Sequence, residues 1–149
     1  MVQGLVRLIL LAVMAGLAGC STAPSGPPPE LAMPADDPLA GSPAMSLVCG
    51  AESALQQGRP ADAGEKLERA LAMVPDSSWL YRLLAEQRLR RDDAAGAEGF
   101  ARRALRHAPP DQPYYQAALR ELLATALARQ GQRAAAKDAR ARAKALRQP

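Results

Sequence analysis

A chain of 149 residues is the length of one domain, and with aromatics at 3% its core has to be built mostly from alanine and leucine. A single histidine and two cysteines give no metal-ligand spacing, and no GxSxG, Walker-type or HExxH signature is present, so no enzyme chemistry, cofactor or metal is expected. The formal charge of +4 is unevenly spread: residues 20–80 carry three basic and eight acidic side chains, net −5, and residues 81–149 carry fifteen basic and seven acidic, net +8. That asymmetry suits either an acidic partner of the C-terminal half or a solvated helical surface that uses arginine as a helix former.

Residues 1–19 read as an address rather than as part of the fold. Arg7 is the only charge before position 30, and an apolar run over residues 8–16 follows it. A spanning helix needs about 20 apolar residues, so this run suits a signal-peptide core instead. It ends in Leu17-Ala18-Gly19-Cys20, which resembles the lipobox of bacterial lipoproteins. The resemblance implies that the Cys20 thiol receives a diacylglycerol, that a peptidase cuts before it, and that the new amino group is acylated. Buried methylenes add about 0.8 kcal/mol each, so such chains form a lasting anchor. In that family an aspartate after the cysteine commonly retains the protein at the inner membrane. Ser21, Thr22 and Ala23 stand there instead, which implies outer-membrane sorting with the domain facing the periplasm.

Residues 20–42 are expected to hold the lipidated cysteine and a disordered tether. Pro24, Pro27, Pro28, Pro29, Pro34 and Pro38 alternate with Ser, Gly and Ala, a composition that buries too little apolar surface to offset ordering. In polyproline II conformation it would reach about 70 Å at about 3.1 Å per residue.

From residue 43 to 149 the pattern is helical and repetitive. Residues 44–77 placed over 78–111 match at nine positions: Ala51/Ala85, Glu52/Glu86, Leu55/Leu89, Ala61/Ala95, Ala63/Ala97, Arg69/Arg103, Ala70/Ala104, Leu71/Leu105 and Pro75/Pro109. Small residues recur where two helices have to cross closely, and proline recurs where the second helix has to stop. A weaker third copy follows five residues late with Ala124, Gly131, Ala136 and Ala143. Ser42 and Pro43 read as cap and first-turn proline of a helix ending near Gln57, and Pro60 opens the next helix after Gly58. Asp76, Ser77 or Ser78 caps a helix over about 79–91, and Asp92 or Asp93 caps one that ends before Pro109. The last two helices are expected over 114–129 and 132–146, the final one a polar cap on the stack. No period-2 run with β-branched residues suggests a strand.

These positions resemble the tetratricopeptide repeat, a 34-residue helix–turn–helix unit. The first unit supplies Leu47, Ala51, Gly58, Ala63, Leu67, Ala70 and Pro75 at the family's positions. The second supplies Tyr81, Ala85, Asp92, Ala97, Ala101, Ala104 and Pro109, with Asp92 in place of the turn glycine and Ala101 in place of a bulky residue. The implied fold is all-α, a solenoid of three helix hairpins. The family's groove residues map onto Val48, Glu52, Leu55 and Gln56, then onto Trp79, Arg82, Glu86, Leu89 and Arg90, then onto Glu121, Thr125 and Arg129. Of these, Trp79, Arg82, Glu86, Arg90, Glu52, Glu121 and Arg129 are the candidate partner-binding set. Trp79 suits either the groove, as a hot-spot aromatic beside arginines, or a core short of aromatics. Tyr81 is assigned to the core, and Tyr114 and Tyr115 stand at the hinge before the third unit. Cys49 is expected to be a buried small side chain, and His107 a cation complementing a helix C-terminus.

A short proline-rich tether before a small repeat domain resembles the outer-membrane lipoproteins that stimulate class A penicillin-binding proteins. That resemblance implies a protein partner, membrane attachment through Cys20, and neither a nucleic-acid nor a small-molecule ligand. A pilotin-like assembly factor and a basic domain bound to acidic envelope polymers are the other functions the pattern allows.

Overall fold

The computed structural model describes residues 32–148. Among them six α-helices are found: α1 (Met45–Gln56), α2 (Pro60–Met73), α3 (Ser78–Arg90), α4 (Ala94–His107), α5 (Pro113–Arg129) and α6 (Arg133–Leu146). They form three antiparallel hairpins, α1/α2, α3/α4 and α5/α6, each stacked on the last. The fold is the expected all-α tetratricopeptide solenoid.

Small residues set the spacing. Ala51, Ala54, Ala63, Ala70, Ala85, Ala97, Ala101 and Ala104 are at most 1% exposed. They recur every three or four residues, so each helix turns one stripe inward. Leucines fill what alanine leaves: Leu80, Leu84 and Leu119 on the helices and Leu39 ahead of α1 are fully buried. In α6 the inward stripe is Ala136, Ala139 and Ala143 alone, and its outer face closes the stack.

Each hairpin turns at a residue with positive φ: Gly58 at 70°, Asp92 at 58° and Gly131 at 77°. Asp92 thus adopts the backbone that the turn demands without being glycine, which aspartate tolerates better than most residues. The second hairpin closes like the others, and Ala101 is buried where a bulky residue was expected. Phe100, one position away, packs partly buried against the first core, with its ring 6.3 Å from that of Tyr81. Ser77 and Asp93 are the caps: Ser77 Oγ accepts from Leu80 N at 3.1 Å and Asp93 Oδ1 accepts from Gly96 N at 2.8 Å. Pro60 and Pro113 occupy first-turn positions that need no N–H. α1 begins two residues later than Pro43 suggested, because Ser42 Oγ accepts from Ala44 N and closes a turn there first.

The tether boundary is corrected. Residues 32–42 were expected to stay free, yet Pro34 is buried, Leu39 is fully buried, and Met33 packs against the first core. The polar lock is Asp37, 4% exposed. Its carboxylate accepts from Leu39 N at 3.0 Å, Ser77 Oγ at 2.6 Å, Ser78 Oγ at 3.1 Å and Trp79 N at 3.0 Å. An anion with several donors at the start of α3 satisfies helix N–H groups that have no partner inside the helix. Gln112 Nε2 donates to Asp36 Oδ1 at 3.2 Å and ties the same strap to the start of α5. The signal segment, Cys20 and the prolines at 24 and 27–29 lie outside the described residues. Cys49 is also corrected: it is exposed, because the inward stripe of α1 runs through Val48, Ala51 and Ala54 and leaves position 49 beside it.

Candidate docking groove

The first helices of the three hairpins do not pack evenly. α3 touches α5, whereas α1 and α3 meet only through α2 between them. The gap between α1 and α3 is a groove of about 310 Å³. Val48, Glu52 and Leu55 face it from α1, Leu83, Glu86 and Arg90 from α3, and Leu67 of α2 supports its floor. Both walls use the same spacing of three or four residues, so each presents one helical stripe to the gap.

Its chemistry is apolar in the middle and charged at the margins. Arg90 and Glu52 are exposed and have no ion-pair partner among the described residues, while Glu86 Oε1 pairs with Arg82 Nε at 3.0 Å. Gln87 also lines the groove and is 2% exposed. Its Nε2 donates to Pro60 O at 2.9 Å, and its Oε1 has no protein partner. The amide fits because residue 64 is glycine: a Cβ there would lie 2.9 Å from Gln87 Nε2.

Of the sequence-derived set, Glu52, Glu86 and Arg90 come together in this groove, with Val48, Leu55 and Gln56. Trp79, Arg82, Glu121 and Arg129 do not. α3 lies between two neighbours, so of the positions assigned to its groove face Glu86 and Arg90 reach the gap, whereas Trp79, Arg82 and Leu89 are turned away from it. Arg82 is 8% exposed and its guanidinium lies 4.6 Å above the Trp79 ring. Trp79 is half-buried and stacks on Tyr115 with ring centroids 6.2 Å apart. Leu89 is buried with Ala97 and Ala126. On α5, Arg129 Nη1 donates to Leu89 O at 2.6 Å and faces Asp92 at 3.5 Å, while Glu121 pairs with Arg147 at 3.3 Å. Trp79, Leu89 and Arg129 join the second hairpin to the third, Glu121 closes the third hairpin on Arg147, and Arg82 pairs within α3. On α3, Leu83 and Gln87 are groove residues absent from the sequence-derived set, as are Ala51 and Leu67 on the first hairpin. The signal for the α3 pair was the 83, 86/87, 90 spacing, one position off the register inherited from α1.

Tyr115 deepens the α3–α5 joint. Its hydroxyl lies 3.1 Å from Ser78 Oγ, and burial pushes its pKa up to about 12, offset in part by that hydrogen bond. His107 stacks on Tyr81 at 5.3 Å, with Nδ1 3.8 Å from Asp76. Tyr81 is therefore a partly buried bridge between Phe100 and His107 rather than a deep core residue. Among the described residues no three His, Cys, Asp or Glu side chains gather as a metal site, and no helix is long and apolar enough to cross a membrane.

A tetratricopeptide-repeat profile matches residues 54–122, from the end of α1 through most of α5. No curated protein matches the sequence. Among solved structures, the globular C-terminal domain of P. aeruginosa LpoP is similar at 38% identity and a TM-score of 0.64, over 69% of this chain and 96% of that one. With repeat pattern, hairpin geometry and this likeness in agreement, the chain belongs to the tetratricopeptide-repeat family, and its helical domain to the family of the LpoP globular domain.

Proposed function

We propose that this protein is a lipid-anchored periplasmic docking module that activates a class A penicillin-binding protein. Cys20 carries the anchor at the outer membrane, and the α1–α3 groove receives a segment of the synthase. The partner class rests on the resemblance to lipoproteins that stimulate such synthases, to which the likeness to LpoP adds weight. The single observation that carries the docking site is the groove itself, apolar in its centre through Val48, Leu55 and Leu83, with Arg90 unpaired at its edge. An apolar stripe with charged margins suits an amphipathic segment whose own side chains complete the gap between two helices.

The test is glycan-chain polymerisation by a purified class A penicillin-binding protein with the full-length lipoprotein in detergent. Leu83→Glu and Arg90→Glu should each weaken stimulation about tenfold, the scale of losing an interface anchor. Arg133→Glu, on α6, should leave it unchanged. Full stimulation by both groove variants would refute the site.

A further inference from the structure

A second concavity opens at the other end of the stack, where α4, α5 and α6 meet. Three guanidiniums line it, one from each helix: Arg102 from α4, Arg120 from α5 and Arg142 from α6. Asp138 is the only acidic residue among its lining, and the cleft measures about 180 Å³. Two of the arginines have carboxylate partners, Arg102 with Glu98 and Arg142 with Asp138 at 3.0 Å. Arg120 has none among the described residues. It is half-buried, and its Nε is enclosed without any hydrogen-bond partner. The nearest carboxylate in sequence, Glu121, is committed to Arg147.

An enclosed guanidinium nitrogen with no acceptor is costly, and buried polar atoms in folded proteins nearly always find one. Here the nitrogen without a partner belongs to the one arginine lining the cleft that has no carboxylate partner among the described residues. Beside it Leu123, Leu127 and Ala139 form an apolar wall. A planar guanidinium fork matches a carboxylate in two parallel hydrogen bonds, and a lysine could not do the same. The apolar wall asks for more than charge: the group that brings the carboxylate has to bring a hydrocarbon neighbour too.

We propose that the α4–α5–α6 cleft is a docking site for an acidic protein segment, with one carboxylate received by Arg120 and an adjacent apolar side chain laid on Leu123. A sugar polymer would supply the anion but not the apolar side chain, so the observations favour a peptide. The cleft shares no lining residue with the α1–α3 groove, and this assignment does not depend on that groove's role.

The experiment uses the full-length protein in detergent and a fluorescein-labelled peptide of alternating glutamate and leucine, with polygalacturonate as the polymer probe. Anisotropy titrations should show the peptide bound, with affinity about tenfold lower in Arg120→Gln, the scale of losing a charge-assisted hydrogen-bonded pair. Arg120→Lys, which keeps the charge without the fork, should still lose about threefold. Arg133→Gln, on α6 outside the cleft, should bind as the parent does. Should Arg120→Gln unfold, the contrast between Arg120→Lys and Arg133→Gln reads the same point. Equal losses in the Arg120 and Arg133 variants would overturn the proposal in favour of diffuse charge. Binding of polygalacturonate but not of the peptide would overturn it in favour of a polymer.

Discussion

Asp37 is the residue on which the N-terminal boundary of the domain depends. One buried carboxylate serves two hydroxyls and one backbone amide some 40 residues away, and the amide of Leu39 beside it. Asp37→Ala leaves those donors enclosed without an acceptor, which should cost about 2–4 kcal/mol in urea denaturation. Asp37→Asn retains an acceptor oxygen and should lose less. The same joint contains Tyr115, whose pKa is raised from 10.0 to about 12. The folded state holds that proton more tightly than the unfolded chain. Its contribution is therefore fully present below about pH 10 and is lost as pH rises through about 12. Melting curves of the parent and Tyr115→Phe should keep a constant offset from pH 8 to about 10, and the parent should then lose stability relative to the variant as pH rises towards about 12, since the variant has no proton to lose there.

At the scale of helices, stability rests on how closely alanine lets them approach. Ala70 and Ala104 occupy equivalent positions in α2 and α4, and both are fully buried. Leucine at either site overfills a crossing with no space to give, and should cost about 1–3 kcal/mol in thermal or urea unfolding. Unchanged stability in both variants would contradict the packing described. α3 is the element with the most varied duties. One face lines the groove, another meets α5 through Trp79 and Leu89, and its start receives the strap. Arg88 adds a further tie, reaching Glu68 of α2 at 2.7 Å and Asp93 at 3.4 Å. Changes in α3 should therefore separate by face: Leu83 and Arg90 should report on docking, and Trp79 and Arg82 on stability.

For the whole molecule, the uneven closure of the stack matters most. The first two hairpins leave a groove between α1 and α3, and the second and third close on each other through stacked aromatics and buried leucines. The two concavities differ in chemistry. One is apolar with mixed charge at its edges, and the other is dominated by guanidiniums. The charge asymmetry between the halves of the sequence thus has a local counterpart in the Arg120 cleft.

The sequence by itself determined the helices, their order and their turns. Spacing of alanines, capping Ser77 and Asp93, prolines at helix starts and residues suited to left-handed turns are local features, decided within a few residues of chain. Half of the groove was legible for the same reason, since the positions of Glu52 and Gln56 in α1 repeat as those of Glu86 and Arg90 in α3. Tertiary structure decided the rest. Whether Arg82 and Trp79 face a groove or a neighbouring helix depends on α5 lying against α3, which the repeat register of α1 does not contain. Whether a proline-rich stretch stays free depends on Asp37 finding donors some 40 residues away and on Leu39 finding a cavity to fill. Cys49 is exposed by the rotation of α1, a matter of a single position on a helix face. Long-range partners set these outcomes, and composition and periodicity describe only what a residue's own segment offers them.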